Sequence, residues 1–285
     1  MKISIENFIF RETFDEETSF KLLADAGFDA VDYSLFNAKG QSPQWLLADD
    51  YLTQAANTKK LLEKYGLECY QTHVPFRLAW DAPRDESNPD YLGIIRGLEY
   101  SGIIGSSCAV VHAPIPPDGV DVVEFNVPFY EQLAPVARRA GIKIAIENLF
   151  KHHQYLPQLM PHIYQPKQLL ALLDRLDPEC FTICLDTGHT AICGIEPDEF
   201  LDLMPAGSVG AVHIHDNNRL KDMHLLPYLC NLDWDKFLAA LKRHGFKGVF
   251  NMEIIHFFGH MPKELYPAAL HLAAETGRYM AAKLD

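Results

Sequence analysis

The sequence predicts a single-domain (β/α)8 barrel spanning residues 1–285, and three observations predict it. Short apolar runs bounded by turn formers recur along the chain and suit buried strands. Helix-like stretches that end in glycine lie between them. Six of the runs close on a metal-type side chain, in THVP (His73), AVVHAP (His112), IAIENL (Glu147), CLDTGH (Asp186, His189), AVHIHD (His213, His215) and FNMEI (Glu253). Polar groups at the C-terminal ends of successive buried strands are how the mouth of such a barrel is written in sequence.

The elements follow in order. Strand one is expected at 2–5, and a helix at 16–26 stops at Gly27 before strand two at 30–33. A helix at 53–65 stops at Gly66, and strand three runs over 67–73. Pro75 follows His73, and Pro114 follows strand four at 108–112, so both strands stop with a histidine at the rim. A helix at 131–140 ends at Gly141 and leads into strand five at 143–147. Strands six and seven are expected at 182–186 and 210–215. A helix at 234–244 ends at Gly245, before strand eight at 249–254. The phrases DAGFDAVDY, EKYGLECYQTH, RRAGIKIAIEN and KRHGFKGVFNME repeat one pattern of helix, glycine, short turn and buried strand.

Bulk properties narrow the function. The net charge is −13, which opposes a nucleic-acid partner, and no basic patch offsets it. No run of about 18 apolar residues exists, so no membrane span is expected. The start, MKISIENFIF, has no long apolar core of a secretory signal. Six cysteines without a CxxC pair read as reduced thiols of a cytoplasmic protein.

Glu147, Asp186, His213 and Glu253 lie at the ends of strands five to eight. Three carboxylates and an imidazole form a mixed oxygen and nitrogen set suited to one divalent ion, Mn, Mg, Co or Zn. Without a cation or protons, three buried carboxylates would be costly together. His73 and His112 point into the same mouth as candidates for hydrogen bonds to substrate. His189, three residues after Asp186, can reach substrate or a second metal. His215 faces the side of strand seven that His213 faces, as a substrate contact, an orienting group or a solvent-facing rim residue. Asp222 and His224 lie in the loop after strand seven, where Arg219 and Lys221 could hold an anionic or hydroxyl group. The stretch after Glu147, rich in histidine and tyrosine, is expected to be a lid or pocket wall. Phe8, Phe36, Phe76, Trp80, Phe257 and Phe258 could floor a sugar site or belong to an ordinary barrel-top core.

The set IENLF, DTGHT, VHIHDNNR, DMHL and NMEI resembles the sugar isomerase/epimerase superfamily with the xylose-isomerase-like barrel, from Lys2 to about Leu272. That group includes ketose 3-epimerases, inosose isomerases and dehydratases, hydroxypyruvate isomerase and endonuclease IV. The resemblance implies metal ligands Glu147, Asp186, His213 and Glu253. It favours His213 over His215 because a ligand histidine of the ketose 3-epimerases precedes an arginine by six positions, as His213 precedes Arg219. It implies substrate binding by His189, and acid and base roles for Glu147 and Glu253. The chain departs from relatives where PYLCNLDW replaces a glycine-rich GEG turn.

The expected function is therefore a metal-dependent isomerase or epimerase of a sugar, ketose or inosose, abstracting and returning a proton through a metal-bound enediolate. Its partner is a small-molecule substrate, with a homo-oligomer possible. A lyase that dehydrates an inosose or keto-sugar could use the same site. A zinc phosphodiesterase of the endonuclease IV kind is a further alternative, because His73, His112, Glu147, Asp186, His189, His213, Asp222, His224 and Glu253 could fill a three-zinc set. A non-catalytic sugar-binding module would not need Glu147 and Glu253.

Overall fold

A computed structural model of the chain describes residues 1–150, 152–153, 156–159 and 162–284. Eight parallel strands, β1 (Ile3–Glu6), β2 (Ala30–Ser34), β3 (Glu68–His73), β4 (Cys108–Val111), β5 (Lys143–Glu147), β6 (Phe181–Asp186), β7 (Val209–His213) and β8 (Phe250–Met252), stand in sequence order around a barrel. β1 pairs with β8 through Ile3 and Phe250, so the first strand meets the last. Between β7 and β8 the ring closes just past the strand end, where Ile214 bridges Met252 and Glu253 N donates to Ile214 O at 3.1 Å.

The expected glycine stops are present. Helices Glu16–Ala26, Tyr51–Tyr65, Val122–Ala140 and Trp234–His244 end at Gly27, Gly66, Gly141 and Gly245, each left-handed. The helix expected at 131–140 begins nine residues earlier, at Val122, where the Asp121 side chain accepts from Val123 N and Glu124 N. Pro128 and Pro135 lie inside it and obscure its start in sequence, because proline lacks the interior donor. The helix Pro89–Ile104, between β3 and β4, carries glycines where neighbours press close. A Cβ at Gly93 would lie 1.8 Å from Ser42 Oγ, and one at Gly102 would lie 2.4 Å from Ala140 O.

Strand seven stops at His213 rather than at 215. Beyond Ile214 the chain leaves the barrel direction, and Asp216 exchanges two backbone hydrogen bonds with Leu225, at 2.8 and 3.2 Å. After β5, His152–His153 and Leu156–Leu159 form a small antiparallel hairpin. Part of the expected lid, including Tyr155, lies outside the described residues. None of the six cysteines is in a disulfide. Among the described residues no helix is long and apolar enough to cross a membrane.

Candidate active site

Each strand end delivers one member of a buried cluster. Glu147 and Asp186 close β5 and β6, His213 closes β7, and Glu253 follows β8. They converge on one atom. His213 Nδ1 lies 3.4 Å from Glu253 Oε2, 3.5 Å from Glu147 Oε1 and 4.0 Å from Asp186 Oδ2. Among the described residues neither ring nitrogen of His213, nor Glu253 Oε2, makes a hydrogen bond, although all three atoms are shielded from solvent. Donors sharing one ion at bonds of about 2.1 Å sit about 3.0–4.2 Å apart, depending on the angle. The spacing around His213 Nδ1 and its unpartnered state therefore fit a divalent cation.

On one side, His73 and His112 meet Glu147. His73 Nε2 and His112 Nε2 are 2.9 Å apart, and His112 Nε2 is 2.8 Å from Glu147 Oε2. Phe36 and Phe76 pack against these rings, with centroids 5.1 Å from His73 and 4.8 Å from His112 respectively. Phe8 stacks on Phe36. Phe258 turns instead into the core against Phe10, and Trp80 is exposed. Phe257 packs edge-on against Phe258, with centroids 5.1 Å apart, so of the six aromatics expected Phe36 and Phe76 touch site histidines and Phe8 backs Phe36.

On the other side, His189, His215, Asp222 and His224 bring ligand atoms within 4.8 Å of one another. Asp222 Oδ2 lies 3.0 Å from His224 Nε2 and 3.6 Å from His189 Nε2. His215 Nε2 lies 3.1 Å from both oxygens of Asp186. Asp186 also caps the short helix Thr187–Ile192, accepting from His189 N at 2.6 Å. Capping holds that carboxylate in place, so the two roles do not compete. Arg219 is not brought into the cluster. Its backbone is left-handed, its guanidinium pairs with Glu196, and Nη2 donates to Asn231 O.

The charges are mutually dependent. Burial alone would raise Glu147, but His112 and His213 hold it well below the usual carboxylate range. Asp222 is likewise held down by His224 and His189 against the effect of burial. Burial opposes charge on His213, yet Cys184, Glu253 and Glu147 raise it well above the ordinary histidine value. His73 goes the other way, to about 3, through burial and the neighbouring His112. Such a site calls for positive charge, from protons on imidazole or from a cation.

The sequence profile of the xylose isomerase-like TIM barrel matches residues 20–275. The chain belongs to that family. A protein of Sinorhizobium fredii, y4fM, is 25% identical over 267 residues, covering 82% of this chain and 79% of its own length. A protein of Methanocaldococcus jannaschii, MJ1311, is 28% identical over 135 residues, 47% of this chain. That match spans 44% of the M. jannaschii protein, less than half its length. Both relatives are described as uncharacterized. Among solved structures, a D-tagatose 3-epimerase-like protein superposes with a TM-score of 0.74 at 22% identity, with full coverage of both chains. D-psicose 3-epimerase in the presence of D-fructose gives 0.73 at 14%, covering 98% of this chain and 99% of its own. The IolI protein with a bound zinc atom gives 0.72 at 17%, covering 100% and 98%. At these identities the likeness is one of fold.

This xylose isomerase-like barrel also holds residues that the motifs did not reveal. Asp32, Gln71 and Asn251 are fully buried within the barrel interior beside His213. Burial, with Glu253 and Asp32 nearby, pushes the Glu6 carboxyl up to about 8. Asp216 organises the PYLCNLDW segment, accepting from Cys230 N, Leu232 N and Trp234 Nε1 at 3.0, 3.3 and 3.2 Å. A carboxylate inside an apolar strand, as in AVDYS, was the available signal for Asp32.

Proposed function

We propose that the protein is a divalent-metal-dependent isomerase or epimerase of a small sugar, ketose or inosose. The observation that carries this reading is His213 Nδ1, unpartnered and faced by carboxylate oxygens of Glu147, Asp186 and Glu253 at 3.4–4.0 Å. Those four residues would hold the ion, which is Mn, Mg, Co or Zn. When bound, such an ion polarises adjacent carbonyl and hydroxyl oxygens of a substrate.

The remaining chemistry falls to the side chains. Glu147 arrives from β5 and Glu253 from the end of β8, so the two carboxylates approach the centre from different parts of the barrel wall. One removes a carbon-bound proton and the other returns a proton. Return to the opposite face of the same carbon inverts it, and return to the neighbouring carbon interconverts aldose and ketose. His112 beside Glu147 can accept or supply the proton of that carboxyl, and His224 Nδ1, which donates to Glu253 O at 3.1 Å and lies 3.3 Å from Glu253 Oε2, can supply one to Glu253. His73, with its Nδ1 unpartnered, is placed to bond a substrate hydroxyl, and Phe36 and Phe76 would pack against an apolar sugar face. Cysteines without disulfides suit a reducing cytoplasm. The sugar epimerases among the structural neighbours support the substrate class.

One observation favours a second reading. The donors sort into further groups, His73–His112–Glu147 and His189–His215–Asp222–His224, which could hold additional ions as in a multi-zinc phosphodiesterase. The net charge of −13 opposes a polyanionic substrate and keeps this reading second.

The test is a panel of ketoses, inososes and keto-acids incubated in heavy water with Mn, Co, Mg or Zn, followed by NMR. A product of unchanged composition carrying deuterium on carbon is expected. Loss of water from the product would assign a lyase instead. Product with no carbon-bound deuterium, or three tightly held zinc ions with phosphodiester cleavage, would overturn the proposal.

A further inference from the structure

The barrel interior beside His213 is polar where a barrel core is usually filled with branched apolar side chains. Ser4, Asp32, Gln71 and Asn251 arise from β1, β2, β3 and β8, and none is exposed. Their bonds point one way. Ser4 Oγ donates to Asn251 Oδ1 at 2.8 Å, while Asn251 Nδ2 donates to Asp32 Oδ2 at 3.0 Å. Gln71 Nε2 donates to the same oxygen at 2.8 Å. The third neighbour of Asp32 Oδ2 is His213 Nε2, at 3.3 Å, an ion-pair distance without hydrogen-bond geometry.

A buried carboxylate is expensive and persists only where it is paired and bonded. The two amides anchor Asp32 without neutralising it, and hold its Oδ2 beside Nε2 of the imidazole. A neutral imidazole carries one proton. With a carboxylate opposite Nε2, a lone pair there would face another lone pair, so the proton belongs on Nε2. Nδ1 then bears the free lone pair, and Nδ1 is the atom that faces Glu147, Asp186 and Glu253.

We propose that Asp32, held by Gln71 and Asn251, is a positioning residue that fixes the His213 tautomer and makes Nδ1 the metal-binding atom. This rests on the metal reading above. A carboxylate behind a ligand histidine both orients the ring and raises its basicity, and loss of such a partner typically costs about 10–100-fold in metal affinity. Asp32 therefore acts through His213 and has no contact with substrate.

The test uses the full chain with Zn²⁺ as the probe. Affinity is read by competition with a chelating dye. The tautomer is read from long-range ¹H–¹⁵N correlations of the histidine rings, with the His213 signals assigned by their loss in His213→Ala. In the wild type, a zinc-bound Nδ1 and a protonated Nε2 on His213 are expected. Asp32→Asn keeps the shape and loses the charge. It should bind Zn²⁺ about 10–100-fold more weakly while the metal-free protein unfolds at an unchanged or higher temperature. Asp32→Leu, which removes the acceptor altogether, should bind more weakly still. A wild type with Nε2 bound to zinc, or Asp32→Asn with wild-type affinity, would overturn the positioning role and leave the metal reading intact. A lower unfolding temperature with unchanged affinity would reduce Asp32 to a structural part. A wild type that binds no Zn²⁺ would remove the metal reading itself. Should the variants fail to fold, the wild-type tautomer decides alone.

Discussion

His215 and His224 stack, with ring centroids 4.1 Å apart and planes 12° apart. The pair braces two carboxylates of the central cluster. His215 Nε2 lies 3.1 Å from both Asp186 oxygens, and His224 Nδ1 lies 3.3 Å from Glu253 Oε2. Strand β7 ends between His213 and His215, which separates two histidines that a continuing strand would have placed side by side.

A ranking of the two histidines follows. His213 faces three carboxylates through Nδ1, whereas His215 reaches the centre through Asp186. His213→Ala should weaken divalent-metal binding by more than about 100-fold, and His215→Ala by about 10-fold, the range for a group behind a ligand. Isothermal titration with Mn²⁺ or Zn²⁺ measures both. A larger loss in His215→Ala would reverse the assignment of the ligand.

Glu147→Gln and Glu253→Gln should each lower kcat by more than about 100-fold in a folded protein. The amide keeps the size of the side chain but cannot take up a proton, and it is a poorer ligand. Turnover is measured with saturating metal. Near-normal kcat in either variant would exclude that residue as acid or base.

The glycine of DTGHT has a packing reason. A Cβ on Gly188 would lie 1.9 Å from His215 Cε1, so alanine must displace the ring. Gly188→Ala should cost about 1–3 kcal/mol of stability, the usual range for overpacking. Adding His215→Ala to the same chain should recover most of that loss, because the clashing atoms are gone. Urea denaturation of the two single variants and the double variant measures the coupling. Simple additivity would show that the strain is relieved elsewhere.

A surface pair ties the C-terminal helix Tyr266–Ala281 to the start of the barrel. Arg278 donates to Asp29 Oδ2 and Oδ1 at 2.6 and 2.7 Å, and to Gly27 O at 2.8 Å. Burial acts to raise Asp29, but Arg278 and the amide of Ile3 bring it below the usual value. A carboxyl lowered on folding contributes stability above its unfolded value of about 3.9, and this is lost as pH falls through the folded value. Arg278→Ala should cost about 1 kcal/mol at neutral pH, in keeping with its partial exposure. Thermal unfolding should show the difference shrinking as pH falls below about 4. A gap that persists unchanged at low pH would assign the effect to packing of the arginine stem.

Much of this architecture is legible locally. Strand positions follow from apolar runs, and four helix ends from glycine, because burial and the left-handed stop are properties of a few neighbouring residues. Helix Val122–Ala140 was harder, since two prolines interrupt a pattern that packing nevertheless sustains. Arg219 shows the limit of a spacing argument. Its interval to His213 matches relatives, yet its head group pairs with Glu196.

The sequence by itself determined the eight strands, their order and the ligand-type residues at their ends. Only the tertiary structure decided which atoms meet. It set His213 Nδ1 against three carboxylates and put Asp32 behind the same ring. It also took His215 out of line with His213. The reason is that these contacts join strand ends far apart in sequence. Their distances follow from how the barrel closes and where each strand stops, and no local pattern records that.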